Sequence, residues 1–214
     1  AYEKAIELNP NYAEAYNNLG NVFKEKDKLD KALVAYEKAI ELNPKCTEAY
    51  NNIGVVLKMQ GRMDESLATF QRALDFSPNK SEVGYNIGLL KLKTRDWESG
   101  WRYFENRWRV KSFKSDRFHT RKPLWTNTSV QRLFVWAEQG VGDEIMFSSC
   151  IDELKQYTDQ LIVSCDERLL NIFKRSFDKS ISFVKKGFLV DEHHYDCQVP
   201  IGTAYGYLRQ AENS

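Results

Sequence analysis

The ten residues "AYEKAIELNP" occur twice, at positions 1–10 and again at 35–44, so the chain repeats itself with a period of 34. Carrying that period forward aligns Tyr2, Tyr36, Phe70 and Phe104, then Pro10, Pro44 and Pro78, then Gly20, Gly54 and Gly88. A unit of this length, with apolar residues three and four apart and a proline at its end, reads as a pair of helices. One such pair cannot bury its own apolar stripe, and stability then comes from stacking on neighbours. The small residues let the two helices of a unit approach closely, and the aromatics fill the space between units. Proline closes the second helix because it lacks an N–H and disfavours helix in the residue before it.

Taking Ala13 as the first position, the unit places Tyr16, Leu19, Gly20, Phe23, Ala32, Tyr36, Ala39 and Pro44. The unit from Thr47 supplies Tyr50, Ile53, Gly54, Leu57, Ser66, Phe70, Ala73 and Pro78. This pattern resembles the tetratricopeptide repeat. The expected organisation is repeats over 1–110, comprising the tail of a truncated repeat at 1–12 and units at 13–46, 47–80 and 81–110. The third unit keeps Ile87, Gly88 and Phe104 but has Gly84 for the early aromatic, Arg107 for the small residue and no closing proline, as a terminal unit would. Its second helix carries Trp97, Trp101, Phe104 and Trp108 at spacings of three and four, a stripe suited to packing or to a ligand groove.

Asn18, Asn52 and Asn86 recur at the repeat period on the first helices, the side that lines the concave face of a superhelix. An asparagine amide both donates and accepts, so a column of them would hold an extended protein or peptide by its backbone. The alternative is that they bond neighbouring helices or water. Asn17 and Asn51 lie one position earlier and are less periodic, since Tyr85 follows in the third unit. The column, with its "NNLGN" phrase at 17–21, resembles the asparagine ladder of O-linked N-acetylglucosamine transferase.

Residues 111–131 lose the period. Around this stretch Arg109, Lys111, Lys114, Arg117, Arg121 and Lys122 are interleaved with Phe113, Phe118 and Trp125, which reads as a solvated linker with aromatic anchors. A formal charge of +1 gives no global attraction to nucleic acid, and His119 reads as incidental. The four cysteines show no C-x-x-C spacing, which suggests free thiols and a cytoplasmic protein. No metal site is expected, and no apolar run is long enough to span a membrane.

From residue 132 the period changes. "RLFVWA" reads as a buried strand, "EQGVGDE" as a glycine turn and "IMFSSCIDELKQY" as an amphipathic helix. The theme recurs in "QLIVSC", "DERLLNIFKRSF", "SISFVKK", "DCQVPIG" and "TAYGYLRQA". Alternating strands and helices imply a parallel sheet with the glycine turn at the carboxyl end of its first strand, where open sheets bind ligands. The dinucleotide fingerprint is incomplete, because Ile145 stands where the third glycine belongs.

"GWRYFENRW", "PLW", "VWAEQGVGDEIMFSSCI" and "YDCQVPIGTAYGYLR" together resemble tetratricopeptide-linked glycosyltransferase-like proteins related to the lipopolysaccharide heptosyltransferases. The resemblance implies an all-α tetratricopeptide superhelix followed by a partial α/β Rossmann-like domain at 132–214, the N-terminal lobe of a GT-B enzyme. It implies no cofactor in these residues and a nucleotide sugar as donor for a longer protein. It makes Asp143 the general base, with Glu138, Gln139, Gly140 and Gly142 lining the substrate cleft. Asp143 as a helix cap is the competing role. A non-catalytic scaffold, with repeats binding a partner beside a degenerate α/β cap, is the competing function.

Overall fold

The computed structural model describes residues 1–113, 115 and 117–211. Lys114, counted above among the basic residues, lies outside them. The chain divides into two compact units, Ala1–Val110 and Lys111–Ser214.

The first unit is all helical: α1 (Tyr2–Leu8), α2 (Ala13–Glu25), α3 (Leu29–Leu42), α4 (Thr47–Met59), α5 (Met63–Phe76), α6 (Ser81–Lys93) and α7 (Trp97–Phe104). α2 pairs with α3, α4 with α5 and α6 with α7, and α3 stacks on α4 as α5 does on α6. α1, α3 and α5 each end two residues before a proline, through Asn9, Asn43 and Ser77. Those three residues turn to φ near −140°, as the proline ring requires of its predecessor. The turn inside each helix pair also keeps the period: Asp27, Gly61 and Arg95 all hold positive φ (56°, 80° and 66°). Only one of these is glycine, so the other two turns carry left-handed backbone at a cost of ~1 kcal/mol each.

Each pair is closed by a ring or backbone lying on a glycine. A Cβ on Gly20 would meet the Tyr36 ring at 2.5 Å, and one on Gly54 would meet the Phe70 ring at 2.6 Å. Around these contacts Ala32, Tyr36, Ala39, Ala49 and Val56 form one core and Phe70, Ala73, Val83, Ile87 and Leu90 the next. Tyr36 donates its hydroxyl to Asn21 at 2.8 Å, and Ser66 donates to the Gly54 carbonyl at 2.7 Å. In the third pair the contact changes kind, since a Cβ on Gly88 would meet the Phe104 backbone nitrogen at 2.7 Å. The expected second helix is also shorter, giving way after Phe104 to a 3-10 turn, Glu105–Arg109. Of its aromatic stripe Trp101 and Phe104 are buried while Trp97 is exposed. Arg107, standing where the other units have alanine, is fully buried, with its guanidinium over the Phe104 and Trp108 rings and 2.6 Å from Glu105.

The second unit holds a four-stranded parallel sheet: β1 (Val130–Trp136), β2 (Thr158–Cys165), β3 (Ser182–Lys185) and β4 (Cys197–Pro200), in the order β3-β2-β1-β4. Between them run α8 (Val141–Phe147), α9 (Ile151–Leu154) and α10 (Glu167–Ser176), and α11 (Ile201–Ala211) follows β4. β1 is central, and Leu133–Trp136 are buried without alternation, as a strand covered on both faces demands. The chain adds β2 and β3 on one side of β1 and then crosses to add β4 on the other. The carboxyl ends of β1 and β4 stay paired at Trp136 and Pro200, and the helices that leave them, α8 and α11, pack against each other with the Phe147 and Tyr205 rings 5.3 Å apart.

Two sequence expectations change here. The stretch 111–131 is more than a solvated linker with anchors: most of its described residues are exposed and the anchor Trp125 is 0% exposed, but residues 123–125 also pair with Gln198 along the free side of β4. A strand edge with open N–H and C=O groups is a liability that such a cover removes. The helix after the glycine turn also begins earlier than its apolar pattern, at Val141, which puts Gly142 and Asp143 in the first helical turn.

The glycine contacts generate a stability prediction. Alanine in a helix interior is favoured over glycine by about 1 kcal/mol, but here it meets packed atoms. Gly88→Ala, pressed against backbone that cannot rotate away, should lower the urea unfolding free energy by about 2–3 kcal/mol. Gly20→Ala, pressed against a side-chain ring instead of backbone, should cost less, and the reverse order would show that the backbone approach is loose.

Candidate functional site

The asparagine column is real, but it is cross-linked. Asn52 donates its side-chain N–H to the Asn17 side-chain oxygen at 3.0 Å, and Asn86 donates to Asn51 in the same way at 3.0 Å. Each bond joins the first helices of successive units, and the step of 35 residues explains why pairs of adjacent asparagines are needed. Asn17 is 8% exposed, so its oxygen would be costly to leave unpaired. Asn17 and Asn51, set aside as weakly periodic, are thus the acceptors that tie the column together. The signal was present in the doubled "NN". Asn18, half-buried, would need a partner 35 positions earlier, before Ala1, and its side chain makes no hydrogen bond among the described residues. Asn52 and Asn86 each spend one of two N–H groups on the cross-link and keep the carbonyl oxygen.

In the second unit, Trp136 and Pro200 sit side by side as the last residues of β1 and β4, and the turn 137–140 opens from that point. Glu138 does not line an open cleft. Its side chain turns inward, 3% exposed, and accepts the Gly202 N–H at 2.7 Å. It thereby serves one of the unpaired N–H groups in the first turn of α11. A Cβ on Gly202 would collide with the Glu138 carboxylate, which accounts for the glycine there. Gln139 is half-buried, and its carbonyl accepts from the Lys186 ammonium at 2.7 Å. The Glu138 carbonyl receives the same ammonium at 3.3 Å and the Ser115 hydroxyl.

Gly140 and Gly142 are exposed, and a Cβ on either would meet nothing within 4 Å. Neither has positive φ, so neither backbone conformation nor internal packing asks for glycine at these positions. Gly140 is the N-cap of α8 and provides no side-chain cap. Asp143 is half-buried in the first turn, and its carboxylate takes part in no hydrogen bond among the described residues. It is therefore not acting as the cap.

Glu144, which the sequence reading passed over, is 1% exposed. One carboxylate oxygen accepts the Asp166 N–H at 2.7 Å; the other has no hydrogen-bond partner and lies 3.9 Å from the Lys186 ammonium. Burial pushes its pKa up, opposed by the Asp166 N–H and by Lys186. Asp166 caps α10 and is held down to about 2 by its bonds to Arg168. Glu138 thus ties the β1 turn to α11, Glu144 ties α8 to the start of α10, and Lys186 ties the end of β3 to the β1 turn. Nothing in the spacing of Glu144 or Lys186 announced these roles. His193 and His194 lie in a 3-10 turn, Glu192–His194.

Residues 13–46 and 47–80 match the family model of the tetratricopeptide repeat. Residues 13–80 are tetratricopeptide repeats. Similar solved structures include YrrB, described as a TPR protein with an unusual peptide-binding site, at 26% identity and TM-score 0.48 over 53% of this chain and 59% of that one. MamA is similar at 21% identity and TM-score 0.46, over 53% of this chain and 67% of MamA. Pseudomonas aeruginosa pilF is similar at 21% identity and TM-score 0.45, over 49% of this chain and 48% of that one. The chain thus spans 59% of the length of YrrB. No curated protein matches it. The tetratricopeptide match lies within the first unit, and none of these matches names a glycosyltransferase. Among the described residues no helix is long and apolar enough to cross a membrane.

Glu144 supplies a pH test. Its folded pKa is raised, so its contribution is most favourable below the unfolded value and is lost as pH rises through the folded value. Glu144→Gln should remove this component: the difference in unfolding free energy, variant minus parent, should rise between pH 4 and pH 7. A difference that stays flat over that window would mean Glu144 titrates as it does in the unfolded chain.

Proposed function

We propose that this protein is a protein-interaction scaffold whose tetratricopeptide repeats bind an extended segment of a partner protein along the concave asparagine-bearing side of α2, α4 and α6. The observation that carries the reading is the cross-linked column, because it holds amides at a fixed spacing while leaving one N–H and one carbonyl per rung to meet a peptide backbone. Pre-setting those groups removes part of the ordering cost that binding would otherwise incur. The peptide-binding site named for YrrB, a repeat protein of the same kind, is in keeping with it.

The column predicts separable effects. Asn18→Ala breaks no cross-link, so affinity for partner-derived extended peptides should fall about three- to tenfold with stability unchanged. Asn52→Ala should weaken binding too and also lower the unfolding free energy by about 1–2 kcal/mol, because Asn17 loses its donor. Undiminished peptide affinity in Asn18→Ala, Asn52→Ala and Asn86→Ala alike would reduce the column to a structural seam.

A second reading has its own observation. The turn at 138–143 lies where the strand order reverses, its two glycines face open space, and the Asp143 carboxylate is uncommitted. In this reading the second unit is a Rossmann-like acceptor-side lobe of a GT-B glycosyltransferase. Asp143 takes the proton of an acceptor hydroxyl, and a donor lobe beyond residues 1–214 holds a nucleotide sugar. Gly140 and Gly142 let that donor or the opposing lobe approach the backbone. In a full-length protein assayed with a panel of nucleotide sugars, Asp143→Asn should cut transfer about 100-fold or more at nearly parental stability. Parental transfer by that variant would end the base assignment, and the scaffold reading alone stands if the parent transfers no sugar.

A further inference from the structure

A pocket of about 370 Å³ opens beside the aromatic side of β1, formed entirely within the second unit. Its size falls in the range of small-molecule sites. Phe118, Phe134 and Trp136 supply an apolar wall, Phe118 packing edge-on to Phe134 at 5.0 Å. Trp136 is fixed by donating its indole N–H to Gln198 at 2.6 Å, so this wall is set before any ligand arrives. Phe188 and Leu189, which follow the turn at Gly187, line the same pocket and are 63% and 88% exposed, an expensive way to leave two large apolar side chains beside a cavity.

The polar part of the lining has one sign. Arg117 and His119 come from the segment before β1 and Lys186 from the segment after β3, while neither Asp nor Glu lines the pocket among the described residues. Lys186 is held in place by the Gln139 and Glu138 carbonyls, and Glu144 at 3.9 Å is its nearest ion-pair partner. Ser164, buried at the carboxyl end of β2, accepts the Ala137 N–H at 3.1 Å, which leaves its own hydroxyl proton to donate. Every polar side chain here can therefore donate toward an anion, and the rest is aromatic or aliphatic.

We propose that this pocket binds a phosphate monoester carried on a ring, the ring face lying on the Phe118 and Trp136 side under Phe188, and the phosphate met by Arg117, His119 and Lys186. Guanidinium and ammonium donors favour phosphate strongly, and a ring with a flat apolar face matches an aromatic wall. The site is separate in argument from the repeats and does not depend on glycosyl transfer. A sugar phosphate and a nucleoside monophosphate share this chemistry, and the measurement separates them.

Calorimetric titration of the 214-residue chain would use glucose 6-phosphate, uridine monophosphate, glucose, uridine and inorganic phosphate as probes. At least one phosphorylated ring should bind saturably, and its unphosphorylated counterpart and inorganic phosphate should each bind about tenfold or more weakly. Whichever phosphorylated ring binds more tightly identifies the source. Arg117→Gln and Phe188→Ala should each weaken that binding about fivefold or more with unchanged near-ultraviolet circular dichroism. Lys186→Gln should do so as well, and if it unfolds because the turn is released, the other two variants decide. The proposal is overturned if neither phosphorylated ring saturates, if inorganic phosphate alone binds as tightly, or if Arg117→Gln and Phe188→Ala bind like the parent.

Discussion

The repeats depend on one contact: an aromatic ring from the second helix laid directly on a glycine of the first. With the Tyr36 ring 2.5 Å from where a Gly20 Cβ would stand, the two helices approach more closely than any side-chain-bearing residue would permit. That approach sets where Asn17 and Asn18 project from α2, and its copy at Gly54 and Phe70 sets Asn51 and Asn52 on α4. A 35-residue step then brings one amide within 3.0 Å of the next, and it does so again at α6, where the close approach to Gly88 is made by backbone instead of a ring. The asparagine-bearing face is thus a consequence of packing on the far side of the same helices.

The second unit solves a different problem. A short parallel sheet ends in several loops at one edge, and each brings backbone groups that water or protein must satisfy. Glu138 and Glu144 meet that need from inside the edge and Lys186 from its exposed side, at the cost of burying two carboxylates. One Glu144 oxygen remains without a hydrogen bond. Such an arrangement is tolerable because Lys186 stands close and because burial itself raises the carboxyl pKa. What is left facing outward at the turn is glycine and Asp143.

Legibility followed the range of the interactions. The 34-residue period, the prolines and the helix pairing are local and repeated, so they could be read from spacing; positive φ at Arg95 could not, because arginine is not a usual left-handed residue. Alternation of strand and helix showed the parallel sheet but not the edge cover by residues 123–125, since Trp125 looks the same in a sequence whether buried or solvated. The candidate site was legible as a turn and not as a set of roles. "EQGVGDE" drew attention to the right place, yet the inward path of Glu138 depends on Gly202, 64 positions away, and that of Glu144 on Asp166. Spacing within a motif carries no information about partners so distant.

The asparagine column brings the two demands on a repeat array into the same side chains. A rung that only held helices together would do best with both amide groups consumed, and one that only bound ligand would do best with none consumed. Asn52 and Asn86 stand between these limits, each spending one N–H on the neighbouring repeat. In the proposed scaffold, binding and stacking would be coupled: a peptide lying on the column would bond to groups whose position already depends on the next repeat. Occupancy of one rung would then favour the geometry of its neighbour, and the array would gain rigidity along the direction in which an extended chain would lie.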